Sequence, residues 1–249
     1  MTRREDLLII AHRGASADHP ENTREAFLGA GEQGADWVEL DVRLAADGTL
    51  IVHHDPWYLD RRTVWDTPAG DRPPSVLSLT DALDACGTGG PRPLGVNVEI
   101  KNSPGDLGGE HVPHTLEVAD AVVGLLAERA TAGVGDRVLI SSFDPPTLDR
   151  ARDLGGPPTG QLVFDVASWP DVVESTAGRG HSALHPWHPF VDGALVERAH
   201  GHGLAVNTWT VDERHRILEL AEMGVDGIVT NVPARARAAL GGPATDAPA

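Results

Sequence analysis

Glu39 and Asp41 stand two residues apart in Trp37-Val-Glu-Leu-Asp-Val-Arg-Leu44, alternating with Val38, Leu40, Val42 and Leu44. The run reads as a strand buried on both faces, and residues i and i+2 of a strand point to one side. Two carboxylates in one interior volume are costly unless something cationic lies between them. Val98-Glu99-Ile100-Lys101 repeats the pattern and sends Glu99 and Lys101 to one face of a second apolar strand. Three carboxylate oxygens from neighbouring strands suit a hard divalent cation, Mg²⁺ or Ca²⁺, better than zinc, since no Cys or evident His pair joins them. A competing arrangement pairs Glu39 and Asp41 with Arg13 or Arg43, and Lys101 with Glu99.

Other residues could complete such a site. His12-Arg13-Gly14 ends the apolar run Leu7–Ala11. A guanidinium offers forked donors to an anion, an imidazole moves a proton near neutral pH, and glycine lets a ligand approach the backbone. The same tripeptide also reads as a surface turn. Glu21-Asn22-Thr23 opens the first helix, with Asn22 read as its N-cap and Glu21 able to reach the site. In Ile51-Val52-His53-His54-Asp55 strand alternation turns one histidine inward, giving a second proton carrier opposite His12. Lys101 adds positive charge for a phosphoryl oxygen.

These residues need a scaffold, and the chain alternates short apolar runs with helical patterns throughout. Strand-like runs lie at Leu7–Ala11, Trp37–Leu44, Leu94–Ile100, Arg137–Ser142, Thr159–Phe164, Ala183–Trp187, Ala205–Trp209 and Gly227–Thr230. Helical patterns cover Asn22–Gln33, Leu79–Ala85, Thr115–Ala130, Pro146–Leu154, Trp169–Thr176, Gly193–Ala199, Glu213–Glu222 and Pro233–Leu240. Eight βα units predict an α/β fold, a TIM (β/α)₈ barrel, in which catalytic groups sit at the C-terminal strand ends. His12, Glu39, Asp41, Glu99, Lys101, Phe143 and Trp209 all fall there. A further short run, Thr49–Val52, follows a tight-turn signal at Ala46-Asp47-Gly48. His185-Pro186-Trp187-His188-Pro189 reads as loop residues packed against neighbours, with His185 or Trp187 within reach of a pocket.

Composition narrows the function. At 249 residues the chain fits one barrel domain over 1–240, with a disordered Gly/Pro/Ala tail expected over 241–249. A net charge of −17 argues against a nucleic-acid surface and a polybasic membrane patch. Cys86 is alone, which excludes an internal disulfide and a cysteine-based zinc site. No run is long enough for a signal-peptide core or a membrane anchor, so the expected location is cytoplasmic.

The ordered set His12-Arg13-Gly14, Glu21-Asn22-Thr23, Glu39-Leu-Asp-Val42, His54-Asp55, Glu99-Ile-Lys101, Ser142-Phe143 and Trp209-Thr-Val-Asp212 resembles the glycerophosphodiester phosphodiesterase family from about Leu7 to Leu240. The resemblance implies a TIM barrel that hydrolyses a small-molecule glycerophosphodiester to glycerol 3-phosphate and an alcohol. It implies Glu39, Asp41 and Glu99 as ligands of one divalent cation, and His12 and His54 as general acid and base, so that His54 rather than His53 faces inward. It implies Arg13 and Lys101 on phosphate, and Phe143 and Trp209 lining the alcohol side. Relatives often carry an inserted cap after the His-Asp motif; here Asp55 to Ser78 leaves a shortened one, with a more open mouth. Two alternatives follow: a lysophospholipase D-like diesterase using the same site, and a catalytically silent barrel that binds phosphate esters, which would have lost a histidine or a metal ligand.

Overall fold

A computed structural model describes residues 7–88, 92–101, 115–131, 137–167 and 169–241. Strands and helices alternate as β1 (Leu8–His12), α1 (Arg24–Glu32), β2 (Trp37–Leu44), β3 (Leu50–Val52), α2 (Leu79–Thr88), β4 (Gly95–Ile100), α3 (Thr115–Thr131), β5 (Val138–Ser142) and α4 (Pro145–Asp153). The second half continues as β6 (Thr159–Val163), α5 (Val172–Gly178), β7 (Ala183–Pro186), α6 (Gly193–Gly201), β8 (Ala205–Thr208), α7 (Arg214–Met223), β9 (Gly227–Thr230) and α8 (Pro233–Ala239). Eight parallel strands, all but β3, run round in the order β1-β9-β8-β7-β6-β5-β4-β2, and a β1–β2 pairing closes the ring. The expected TIM barrel is therefore the fold. β3 pairs antiparallel with the end of β2, Val42 opposite Val52, as the turn at Asp47-Gly48 requires. The tail expected from residue 241 lies, beyond Gly241, outside the described residues.

Parallel barrel strands are buried on both faces, which explains their continuous apolar character. Outward residues such as Ile9, Val38, Leu40, Val98, Leu184, Val206 and Ile228 are buried under the helices. Phe27 of α1, Leu79 of α2 and Leu148 of α4 are fully buried, each in a helix packed on the barrel. Side-chain caps start several helices: Asp144 accepts from Thr147 N–H at 3.1 Å and Asp192 from Leu195 N–H at 2.8 Å.

Helix α1 corrects one expectation. Thr23, not Asn22, is its N-cap, accepting from Ala26 N–H at 3.3 Å. Asn22 lies one residue earlier at φ +58°, in the left-handed region that asparagine tolerates, and its side chain turns inward. The shortened insertion after β3 builds a small core of its own from Tyr58, Val64 and Ala69 against Ala45 and Ile51. No helix among the described residues is long and apolar enough to cross a membrane.

Candidate active site

Strand register assembles the acidic cluster. Asp41 lies opposite Glu99 across β2–β4, and His12 opposite Glu39 across β1–β2. Glu39, Asp41 and Glu99 are buried, and each offers a carboxylate oxygen within 4.8 Å of the others. Arg13 Nε lies 3.1 Å from Asp41 Oδ2, and Lys101 Nζ lies 2.8 Å from Glu99 Oε1 and 3.8 Å from Asp41 Oδ1. Arg43 donates to the carbonyls of His54 and Lys101, both at 2.9 Å, and so ties together the two segments that carry those residues.

The His12-Arg13-Gly14 turn is locked onto this cluster. Arg13 has φ +56°, and its N–H donates to Glu39 O at 2.8 Å and Glu39 Oε2 at 3.1 Å. Gly14, at φ +87°, sits against α1 so closely that a Cβ there would meet the Ala26 backbone at 2.6 Å. The Arg13 guanidinium also donates to both oxygens of Glu21, at 3.0 and 2.9 Å. Glu21 thus touches the site through Arg13. Asn22 Nδ2 donates to Asp41 Oδ2 at 2.9 Å.

The charges do not balance evenly. Burial raises the Glu39 carboxyl well above its ordinary value, and the neighbouring charges of Asp41 and Glu99 push it further than Arg13 and Lys101 pull it back. Burial also opposes ionisation of Asp41, but Arg13, Lys101 and His54 together hold it well below the usual aspartate range. Glu39 Oε1 and Asp41 Oδ1 are buried with no hydrogen-bond donor among the described residues. Buried carboxylate oxygens that lack donors and face one another fit a bound cation, and an all-oxygen donor set fits a hard one. Glu39, Asp41 and Glu99 therefore suit a divalent ion.

The two histidines flank one cavity of about 270 Å³, lined also by Arg13, Glu39, Glu99, Lys101, Phe143 and Trp209. His12 Nε2 stands 3.9 Å from Glu39 Oε2, and burial followed by the Arg13 charge lowers its pKa. Its Nδ1 is 2.8 Å from Asn231 Oδ1. His54 Nδ1 is 2.9 Å from Asp55 Oδ1. His53 does not line the cavity; its ring lies tilted against Tyr58 at 5.1 Å and meets Trp57 O at 3.2 Å.

Aromatic rings form one wall. Phe143 meets Trp209 edge-on at 5.6 Å, and Phe164, 56% exposed, stacks on Trp187 at 4.5 Å. Lys101 Nζ lies 5.9 Å from the Phe143 ring centre. His185 is a second correction. It is a barrel-interior residue of β7 that lines the cavity, where burial lowers its pKa to about 4. Its ring fills the space above Gly160, where a Cβ would lie 2.6 Å from Nε2. A glycine facing it on the neighbouring strand was the available signal. Asn97, Asn231 and Asp212 also shape the site; inward parity along β4 and just past β9 marks the two asparagines.

Comparison with known proteins places this geometry. Residues 12–73 and 68–235 match the model of the glycerophosphoryl diester phosphodiesterase family. The chain is 29% identical over 255 residues to the glycerophosphodiester phosphodiesterase of Caldanaerobacter subterraneus subsp. tengcongensis, covering 91% of this chain and 94% of the relative. It is 31% identical to the glycerophosphodiester phosphodiesterase of Bacillus altitudinis, covering 92% and 96%. An Oleispira antarctica phosphodiesterase, solved in complex with its product sn-glycerol-3-phosphate, superposes with a TM-score of 0.80 at 26% identity, covering 94% of this chain and 96% of that one. The family match spans nearly the whole barrel and every motif of the cavity, and the chain belongs to the glycerophosphoryl diester phosphodiesterase family.

Proposed function

We propose that this protein hydrolyses glycerophosphodiesters to glycerol 3-phosphate and a free alcohol. The observation that carries the proposal is the convergence at one cavity of Glu39 and Glu99, with buried Asp41 clustered beside them, two cations and two histidines, carried by β1, β2, β4 and the residues just after β1, β3 and β4. The named activity of the relatives and the product bound to the Oleispira enzyme support the same substrate class.

Glu39, Asp41 and Glu99 would hold one divalent cation, Mg²⁺ or Ca²⁺. When bound, such an ion supplies Lewis-acid polarisation of the phosphoryl group. Arg13 and Lys101 bring fixed positive charge to the phosphate oxygens, where charge grows as the bond breaks. His12 and His54 act as the general acid–base pair, one taking a proton from the nucleophile, either water or a glycerol hydroxyl whose cyclic phosphate water then opens, and the other giving one to the departing alkoxide. Phe143 and Trp209 shield the alcohol side from water. All these positions carry the side chains the chemistry needs, which disfavours a silent barrel.

His12→Ala and His54→Ala are each expected to lower turnover of glycerophosphocholine by about 10²–10⁴-fold. Wild-type turnover in both variants would refute the assignment. The exposed Phe164 at the rim favours one second reading, a lysophospholipid diesterase that lays an acyl chain on this wall. Faster cleavage of lysophosphatidylcholine than of glycerophosphocholine would establish it.

A further inference from the structure

His12 does not stand alone behind the cavity. Its Nδ1 meets Asn231 Oδ1 at 2.8 Å, and Asn231 Nδ2 donates to Asp212 Oδ2 at 2.7 Å. A carboxylate oxygen at that distance demands a donor, so the amide nitrogen of Asn231 must face Asp212 and its carbonyl oxygen must face His12. Two further bonds hold Asp212 in place, from Asn231 N–H at 2.9 Å and Thr230 Oγ1 at 3.0 Å. Ser16 Oγ donates to the same Asn231 oxygen at 2.9 Å. An amide oxygen has no proton to give, so the proton in the 2.8 Å contact belongs to His12 Nδ1. Among the described residues the other ring nitrogen, Nε2, has no competing bond: Glu39 Oε2 at 3.9 Å lies beyond hydrogen-bond reach.

We infer that Asn231 and Asp212 are positioning residues that fix His12 with its proton on Nδ1, leaving Nε2 as the ring atom directed into the cavity to exchange a proton there. The inference rests on the proposed histidine chemistry and assigns the ring nitrogen that carries it. The imidazolium formed keeps its Nδ1–H on Asn231, so the ring does not have to turn during the reaction. Which ring nitrogen of a histidine carries the proton is set by the partner of the other, and that partner here is an amide oriented by a carboxylate.

The test is nitrogen-15 NMR of the full chain labelled at its histidine rings, at about pH 8, above the ordinary histidine range. His12 is assigned by the signals missing in His12→Ala. Wild-type His12 is expected to show a protonated Nδ1 and an unprotonated Nε2. Asn231→Ala and Asp212→Ala are expected to mix the two tautomers and to lower kcat by about 10–100-fold while KM changes little. In the exchange Asp212→Asn with Asn231→Asp, the new carboxylate accepts from Nδ1–H and the new amide donates to it. This pair is expected to restore the Nδ1–H signature and most of kcat, which a purely structural role would not do. An Nε2–H ring in the active wild-type enzyme, or an unchanged tautomer in Asn231→Ala, would overturn this inference and leave the hydrolase reading intact. Wild-type turnover in His12→Ala would overturn both.

Discussion

Replacing Glu39 by glutamine should make the metal-free protein more stable while abolishing its activity. The carboxylate is buried, and oxygens of Asp41 and Glu99 lie within 4.8 Å. At that separation and an effective dielectric of about 20, each like-charge pair costs roughly 3 kcal/mol. Arg13 and Lys101 offset part of the two repulsions, leaving a net cost on the order of 1–3 kcal/mol. Glutamine keeps the acceptor for Arg13 N–H and adds a donor for the orphaned carboxylate oxygens, so nothing is lost in hydrogen bonding. For a domain of this size, thermal unfolding in EDTA should rise by about 2–10 °C. The gain has a definite pH dependence. A carboxyl whose pKa is raised on folding destabilises the fold progressively as pH climbs from the unfolded value through the folded one. The advantage of Glu39→Gln should therefore be larger at about pH 8 than at about pH 5. Saturating Mg²⁺ or Ca²⁺ should stabilise the wild type by about 3 kcal/mol at a hundredfold excess over Kd and leave the variant unmoved. Differential scanning fluorimetry with EDTA or added metal reads all of this. A variant less stable than wild type in EDTA, or one that keeps the full metal-induced shift, would refute the reasoning.

Asn22→Ala removes a buried donor to Asp41 at a left-handed backbone position and should cost about 2–4 kcal/mol in urea unfolding together with turnover. Thr23→Ala removes the helix cap and the hydroxyl's bond to Pro20 O, neither of them in the cavity, and should cost about 1–2 kcal/mol with kcat unchanged. Gly14→Ala forces a Cβ against the Ala26 backbone at positive φ, so a loss of about 2–4 kcal/mol is expected, with KM raised as Arg13 shifts. Asp41 has a pKa lowered on folding, so its stabilising contribution is present above the unfolded aspartate value and fades only as pH falls through the folded one. Acid unfolding of Asp41→Asn should accordingly lack a strongly acidic component that the wild type shows.

The sequence carried the scaffold and the charged centre because both obey strand periodicity. The i, i+2 spacing of Glu39 and Asp41 and of Glu99 and Lys101 puts each pair inside the barrel, and register then brings Asp41 beside Glu99. Partners set by tertiary packing were harder to read. Asn22 and Thr23 are both good cap residues, and only the +58° backbone of Asn22 decides between them. His185 sits among prolines that suggest a loop, yet β7 continues through Pro186 because its pairing with β6 runs to that residue, Val163 opposite Pro186. Asn231 and Asp212 lie far from His12 in sequence, and closure of β1 against β9 is what brings their bonds to the histidine.

Hydrolysis of glycerophosphocholine, followed by release of glycerol 3-phosphate and choline, tests the central claim most directly when run on protein stripped with EDTA and then supplied with Mg²⁺, Ca²⁺ or Mn²⁺. The account predicts that stripping abolishes product formation and that at least one of these ions restores it. Undiminished release of glycerol 3-phosphate after chelation would contradict it.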